Sequence, residues 1–107
     1  MPKYLIISSL TQEGLRGTLN EGGTARREAI RRATESLGGK LEALYYAFGD
    51  RDVYSIVELP DNVTAAAASM TVSAAGVARN TTVVLITPEE IDEVSKKNVQ
   101  AYLPPRA

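Results

Sequence analysis

Twenty residues near the middle of the chain, Lys40 to Leu59, read KLEALYYAFGDRDVYSIVEL. They predict two β-strands folded back on each other around Gly49-Asp50-Arg51-Asp52. Glycine permits such a turn, and aspartate favours it by bonding nearby backbone groups. Strict alternation places Leu41, Ala43, Tyr45 and Ala47 on one face of the first strand, and Glu42, Leu44, Tyr46 and Phe48 on the other. In the second strand Val53, Ser55, Val57 and Leu59 oppose Tyr54, Ile56 and Glu58. Apolar groups therefore stand on both faces of both strands. An antiparallel hairpin with one wet side would alternate apolar with polar. Each face of this hairpin needs a cover.

The flanking segments supply the first cover. Lys3 to Leu10 reads as a strand, with Tyr4, Leu5, Ile6 and Ile7 consecutive and apolar, as a central strand would be. Thr11 is placed to cap a short helix carrying Leu15 and Leu19, weakened by Gly14 and Gly17. After a break at Asn20-Glu21-Gly22-Gly23, Thr24 is expected to cap a firmer helix over 25–37. Its apolar face is Ala29, Ile30, Ala33 and Leu37. Gly38-Gly39 ends it.

Beyond the hairpin, Pro60-Asp61-Asn62 turns the chain, with Asp61 as cap of a helix over 63–75. No residue from Asn62 to Ala78 is charged. A helix with one wet side normally carries charge there. That pattern predicts partial burial against another protein surface. Gly76 stops the helix, and 79–86 forms the last strand. Thr87-Pro88-Glu89-Glu90 is a helix start with the cap, the first-turn proline and the capping-box glutamate in place. The domain is expected to span 1–98, with 99–107 as a tail.

The order is strand, helix, strand, strand, helix, strand and an extra C-terminal helix. This is the split βαβ pattern of ferredoxin-like α+β folds: a four-stranded antiparallel sheet with helices on one face. The other face is apolar too. A second sheet from a second copy would cover it, closing two subunits into a dimeric α/β barrel.

Composition narrows the function. The chain of 107 residues carries 12 basic and 13 acidic residues, no histidine and no cysteine. A net charge of −1 lacks the basic surplus that phosphate neutralisation requires, so no nucleic-acid partner is expected. Disulfides and thiolate chemistry are excluded, as is the commonest general base. No metal constellation is read, and no cofactor. No stretch approaches the roughly 20 apolar residues of a membrane span, and the first apolar run is short for a signal core. The expected location is the cytoplasm, with no membrane partner.

The segment GGKLEALYYAFGDRDVYSIVELPDNVTAAAASMTVSAAG resembles the GYD-domain proteins, small bacterial and archaeal proteins of the dimeric α/β-barrel type. The resemblance spans about residues 3 to 95. The name-giving Gly-x-Tyr-Asp motif reads Gly49-Asp50-Arg51-Asp52 here, with Arg51 in place of the tyrosine. The resemblance implies the fold and a homodimeric or higher assembly. It implies no particular activity.

Candidate ligand-binding residues come from the hairpin and its surroundings. Asp50, Arg51 and Asp52 would sit at a barrel mouth and hold a polar group, or simply make the turn. Tyr46 and Tyr54 would line a cavity, where a buried tyrosine hydroxyl can donate or act as an acid; as core residues they would only pack. Arg26, Arg27, Arg31 and Arg32 form a basic helix face, with Arg79 as a possible fifth member of an anion site. The alternative is a solvated face paired with Glu28 and Glu35, with Glu28 to Arg32 as the helical pair. Three functions follow: a homo-oligomeric small-molecule binder, a cofactor-free enzyme (oxygenase, isomerase or cyclase type) acting on a small apolar or aromatic molecule, and a purely structural oligomer.

Overall fold

A computed structural model describes residues 1–106. The final residue of the 99–107 tail, Ala107, lies outside the described residues. The elements are β1 (Lys3–Leu10), α1 (Gln12–Glu21), α2 (Gly23–Ser36), β2 (Lys40–Tyr46), β3 (Val53–Glu58), α3 (Asn62–Ala74), β4 (Ala78–Leu85) and α4 (Pro88–Val94). The sheet order is β2-β3-β1-β4, and every pair is antiparallel. This is the α+β, ferredoxin-like arrangement that the element order predicts.

Helices α1, α2 and α3 lie over one face of the sheet. Register then sorts every strand residue. On the helix side, Leu41, Val57, Tyr4 and Val84 form one rung across the four strands. Leu44, Ser55, Ile6 and Thr82 form the next, and Tyr46, Val53, Ser8 and Asn80 the third. The core takes the first three residues of the first rung, with Val84 left exposed: Tyr4, Leu41, Val57, Leu59 and Ala65 are buried together, with Ile6, Ile30 and Leu44 packed against them. Tyr4 is 1% exposed, and its hydroxyl donates to Asn62 Oδ1 at 2.6 Å, tying β1 to the first turn of α3.

A β-bulge between Leu41 and Ala43 changes the hairpin from the strict alternation expected of it. Leu41 lies opposite Val57, yet Ala43 lies opposite Ile56, so Glu42 has no directly opposed residue. One extra residue flips the remainder of the strand to the other face. Leu44 and Tyr46 therefore join Leu41 beneath the helices. Ala43 and Tyr45 face away.

The junction of the first two helices differs from expectation. The first helix runs to Glu21 and the second begins at Gly23, so the break narrows to one residue. Gly22, at φ 92°, ends α1 and starts α2, and Thr24 is not a cap. Only the left-handed side of the map turns the chain this sharply, and glycine reaches it freely. The other caps form as expected, at Thr11, Asp61 and Thr87, the last as a full capping box.

The C-terminal part stands away from the body. Val94, Val99, Tyr102 and Leu103 are all exposed. The radius of gyration is 17.1 Å, where a compact domain of this length has about 13 Å.

Helix α1 is seated by close backbone contact. Thr11 N–H donates to the Val77 carbonyl at 3.0 Å, and the Thr11 hydroxyl donates to the Gly76 carbonyl at 2.6 Å. A Cβ on Gly14 would overlap the Val77 carbonyl, whereas one on Gly17 would meet nothing. The same substitution should therefore act with opposite signs in one helix. In urea denaturation, Gly14→Ala is expected to lower stability by about 1–3 kcal/mol through steric overlap. Gly17→Ala should raise it by about 0.5–1 kcal/mol through helix propensity. Equal effects would show that α1 does not rest on Val77.

The Asp61 cap carries a pH dependence. Bonds from the Thr64 hydroxyl, and then from its backbone N–H, hold the Asp61 carboxyl below its ordinary 3.8. A carboxyl lowered in the folded state stabilises the fold above its unfolded pKa. That contribution is lost as pH falls through the folded value. Asparagine caps as well as aspartate but does not titrate. Between about pH 4 and pH 2, thermal melts of Asp61→Asn should fall less steeply than those of the parent. Parallel acid limbs would show that the cap carries no charge-dependent stabilisation.

Candidate functional site

The helix layer does not close over the sheet: an open cleft runs from Leu59 and Val57 past Ile6 and Ser55 to Ser8, Val53 and Asn80. Between the sheet and the three helices lies a cavity of about 510 Å³. Its size falls within the range of small-molecule sites. The cause is residue size. Helix α3 presents Ala67 and Ala68 to this space, and α1 presents Gly14 and Gly17. Side chains this short leave room beneath α1 and α3, although Gly14 itself rests on the Val77 carbonyl. The cavity wall is mostly aliphatic, with Ile6, Leu10, Ile30 and Val72 among its members.

The floor holds three neutral polar groups. Ser8 and Asn80 lie directly opposite on β1 and β4, and the Ser8 hydroxyl donates to Asn80 Oδ1 at 2.7 Å. Ser55, on the next rung, is 6% exposed and lines the same space. The sequence reading missed Ser8 and Asn80. Their signal was the alternation Tyr4, Ile6, Ser8, which directs all three side chains under the helices.

At one wall stands Tyr46. Its hydroxyl donates to the Gly23 carbonyl at 3.1 Å, and its ring lies against Gly23, where a Cβ would come within 3.1 Å of the ring. The charged liners, Glu13, Glu21 and Arg26, come from α1 and α2, and Arg26 Nη1 lies 3.6 Å from Glu21 Oε1.

Tyr46 and Tyr54 do not share this cavity. Tyr54 lies opposite Tyr45 on the far face of the sheet, because the bulge turns Tyr46 inward and Tyr45 outward. Phe48, the remaining aromatic group of the hairpin, is fully exposed near its tip.

The turn residues collect at the end of β1, on the outside. Asp52 accepts from the Leu10 N–H through Oδ2 at 2.7 Å, and its own N–H donates to the Ser8 carbonyl at 2.9 Å. Arg51 Nη1 donates to Ser9 Oγ at 3.2 Å, and Arg79 lies opposite Ser9 in register. Asp52, Arg51 and Arg79 are thus neighbours of one strand end, whereas Asp50 projects as an exposed turn residue. The backbone bonds make Asp52 a tie between hairpin and β1.

The basic face of α2 is paired differently from the expected spacing. Glu28 meets Arg31 at 3.3 Å and Arg27 at 3.5 Å rather than Arg32. Arg79 is on β4 and does not join this face. Among the described residues no group of three or more metal-ligating side chains forms, and no helix is long and apolar enough to cross a membrane.

The outer face of the sheet is apolar across two rungs. Ala43, Ile56, Leu5 and Val83 form one; Tyr45, Tyr54, Ile7 and Thr81 form the other. Polar residues border them. Lys3 bridges Glu42 at 2.8 Å and Glu58 at 3.8 Å at one end. Arg51, Ser9 and Arg79 stand at the other.

A family model described as GYD domain matches residues 4–94. The match takes in the whole sheet but its first residue, the cavity walls, the Gly49–Asp52 turn and α4. No curated protein and no solved structure matches the chain.

The tie made by Asp52 is separable from its neighbours. Asp52→Ala leaves the Leu10 N–H without its acceptor and should cost about 1–2 kcal/mol of unfolding free energy. Asp50→Ala, at an exposed position, should change stability by less than about 0.5 kcal/mol. Denaturant midpoints of the two variants decide it. Indistinguishable values would mean that the carboxylate on β1 contributes nothing.

Proposed function

The chain belongs to the GYD domain family, and from that footing we propose that it is a homo-oligomeric binder of a small molecule. The observation that carries the reading is the cavity of about 510 Å³ between sheet and helices. It is roomy, mostly aliphatic and furnished with a few converging polar groups, the usual make-up of a ligand site. Binding is favoured over acid–base catalysis by the chemistry of the floor. Ser8, Ser55 and Asn80 hold no proton that titrates near neutrality. The Tyr46 hydroxyl is already engaged with the Gly23 carbonyl.

Oligomerisation rests on the outer face. Two apolar rungs flanked by charge have the layout of an interface with a polar rim. Tyr45 is 72% exposed in the single chain, a costly position for an aromatic ring beside Ile7 and Ile56 unless a partner covers it. A second copy meeting face to face would bury the rungs and close a barrel of two sheets.

Light scattering and native mass spectrometry of freshly purified protein test both parts. The expected result is a dimer or a multiple of it, with added small-molecule mass in each subunit. Ile7→Asp should yield a folded monomer by circular dichroism. Ala68→Phe should fill the cavity and abolish the added mass without changing the subunit count. A wild-type monomer would overturn the two-sheet assembly. An oligomer that carries and takes up nothing would leave only a structural role.

A further inference from the structure

We infer that the cavity takes an uncharged, largely apolar molecule with one hydrogen-bond-accepting oxygen, and that the side-chain amide of Asn80 receives that oxygen. The inference rests on the small-molecule reading above and assigns the chemistry of what is bound.

Charge is the first discriminator. The floor is built from Ser8, Ser55 and Asn80 on the sheet, with Val53, Ile6 and Ala78 between them. None of these can neutralise a ligand charge. Bringing an unpaired ion into such surroundings costs several kcal/mol or more. The one cation among the liners, Arg26, lies near Glu21, and Glu13 stands on the same wall. That rim is net acidic and repels an anion. The acidic groups are exposed, so screening by water leaves them little hold on a cation.

Hydrogen-bond geometry is the second. An asparagine amide has an acceptor oxygen and two N–H donors. The Ser8 hydroxyl donates to Asn80 Oδ1 at 2.7 Å. That bond turns the amide oxygen toward β1 and leaves the NH₂ group as the donor side. Ser8 thereby acts as a positioning residue for Asn80. A ketone, ester or amide oxygen fits this donor, while the aliphatic wall takes the remainder of the molecule. The cleft volume of about 510 Å³ exceeds what one or two fused rings occupy, so a drug-sized body fits.

Four probes of nearly one shape test the assignment by calorimetry on the intact protein. These are 2-acetylnaphthalene, 2-isopropenylnaphthalene (CH₂ replaces the carbonyl oxygen), 2-naphthoate and 2-naphthylmethylammonium. The ketone should bind about fivefold more tightly than the alkene, the ratio that one ordinary net hydrogen bond supplies. The naphthoate should bind more weakly than either. In Asn80→Leu the ketone and the alkene should converge to within about twofold, with the alkene bound no less tightly than in the parent. In Ser8→Ala the preference for the ketone should shrink but survive.

Equal binding of ketone and alkene by the parent overturns the assigned oxygen contact. Tightest binding by the naphthoate, or by a 2-naphthylmethylammonium probe, overturns the assigned neutrality. In either case the cavity remains a binding site. Failure of every probe to bind overturns the small-molecule reading itself and this inference with it. The parent protein alone decides among these outcomes, so a variant that fails to fold does not remove the test.

Discussion

One extra residue in β2 decides which side of the sheet each aromatic ring occupies. Glu42 has no directly opposed residue on β3. With perfect pairing, Leu41 would share a face with Tyr45 and leave Leu44 and Tyr46 outside. The bulge instead lets Leu41, Leu44 and Tyr46 all point beneath the helices. Leu41 can then join Tyr4, Val57 and Leu59 in the core, while Tyr46 reaches Gly23 at the start of α2. Glu42 itself swings to the rim and meets Lys3. The outer apolar rungs exist for the same reason, because Ala43 and Tyr45 are displaced onto them.

The helix layer inherits a division from this sheet. At the Tyr4 end, Tyr4, Leu41, Val57 and Leu59 pack with Ala65 of α3, and a second hollow remains between α3 and Thr82 and Val84. At the Ser8 end, glycine, alanine, serine and asparagine stand among Val53, Leu10 and Tyr46. Close packing needs volume from both sides, and here Gly17, Ala67 and Ala68 on the helices supply little. A void that size would be a stability defect if its only role were packing. Neutral polar groups, Ser8 bonded to Asn80, stand at its floor. The acidic Glu13 and Glu21 remain where water can solvate them.

Much of this was legible from residue types alone. The four strands, their ferredoxin-like order and the caps at Thr11, Asp61 and Thr87 each depend on local chemistry, which a sequence displays directly. The GYD domain match extends over the same span as the resemblance read from the hairpin. The bulge was not legible, because it depends on how β3 and β2 compete for a common core rather than on any residue at Glu42. Thr24 looked like a cap because threonine caps helices well. Gly22 took the position through its backbone angle, which a side-chain inventory cannot weigh. Ser8 and Asn80 escaped notice since each is ordinary in a strand, and only the register between β1 and β4 brings them together.

The two sheet faces differ in chemistry. The outer face, around Ile7 and Tyr54, presents apolar surface to whatever lies beyond the chain. The inner face, around Ser8 and Asn80, presents a partly polar floor to an open cleft beneath the helices. Successive residues of β1 alternate between them. Ile7 and Ser8 are thus adjacent in sequence but serve different surfaces. A change at one reaches the other only through the stiffness of the strand between β3 and β4. The Asp52 tie to Ser8 and Leu10 fixes that strand where the two surfaces come closest to the hairpin turn. The aspartate that closes the motif Gly49–Asp52 therefore acts on both faces without belonging to either.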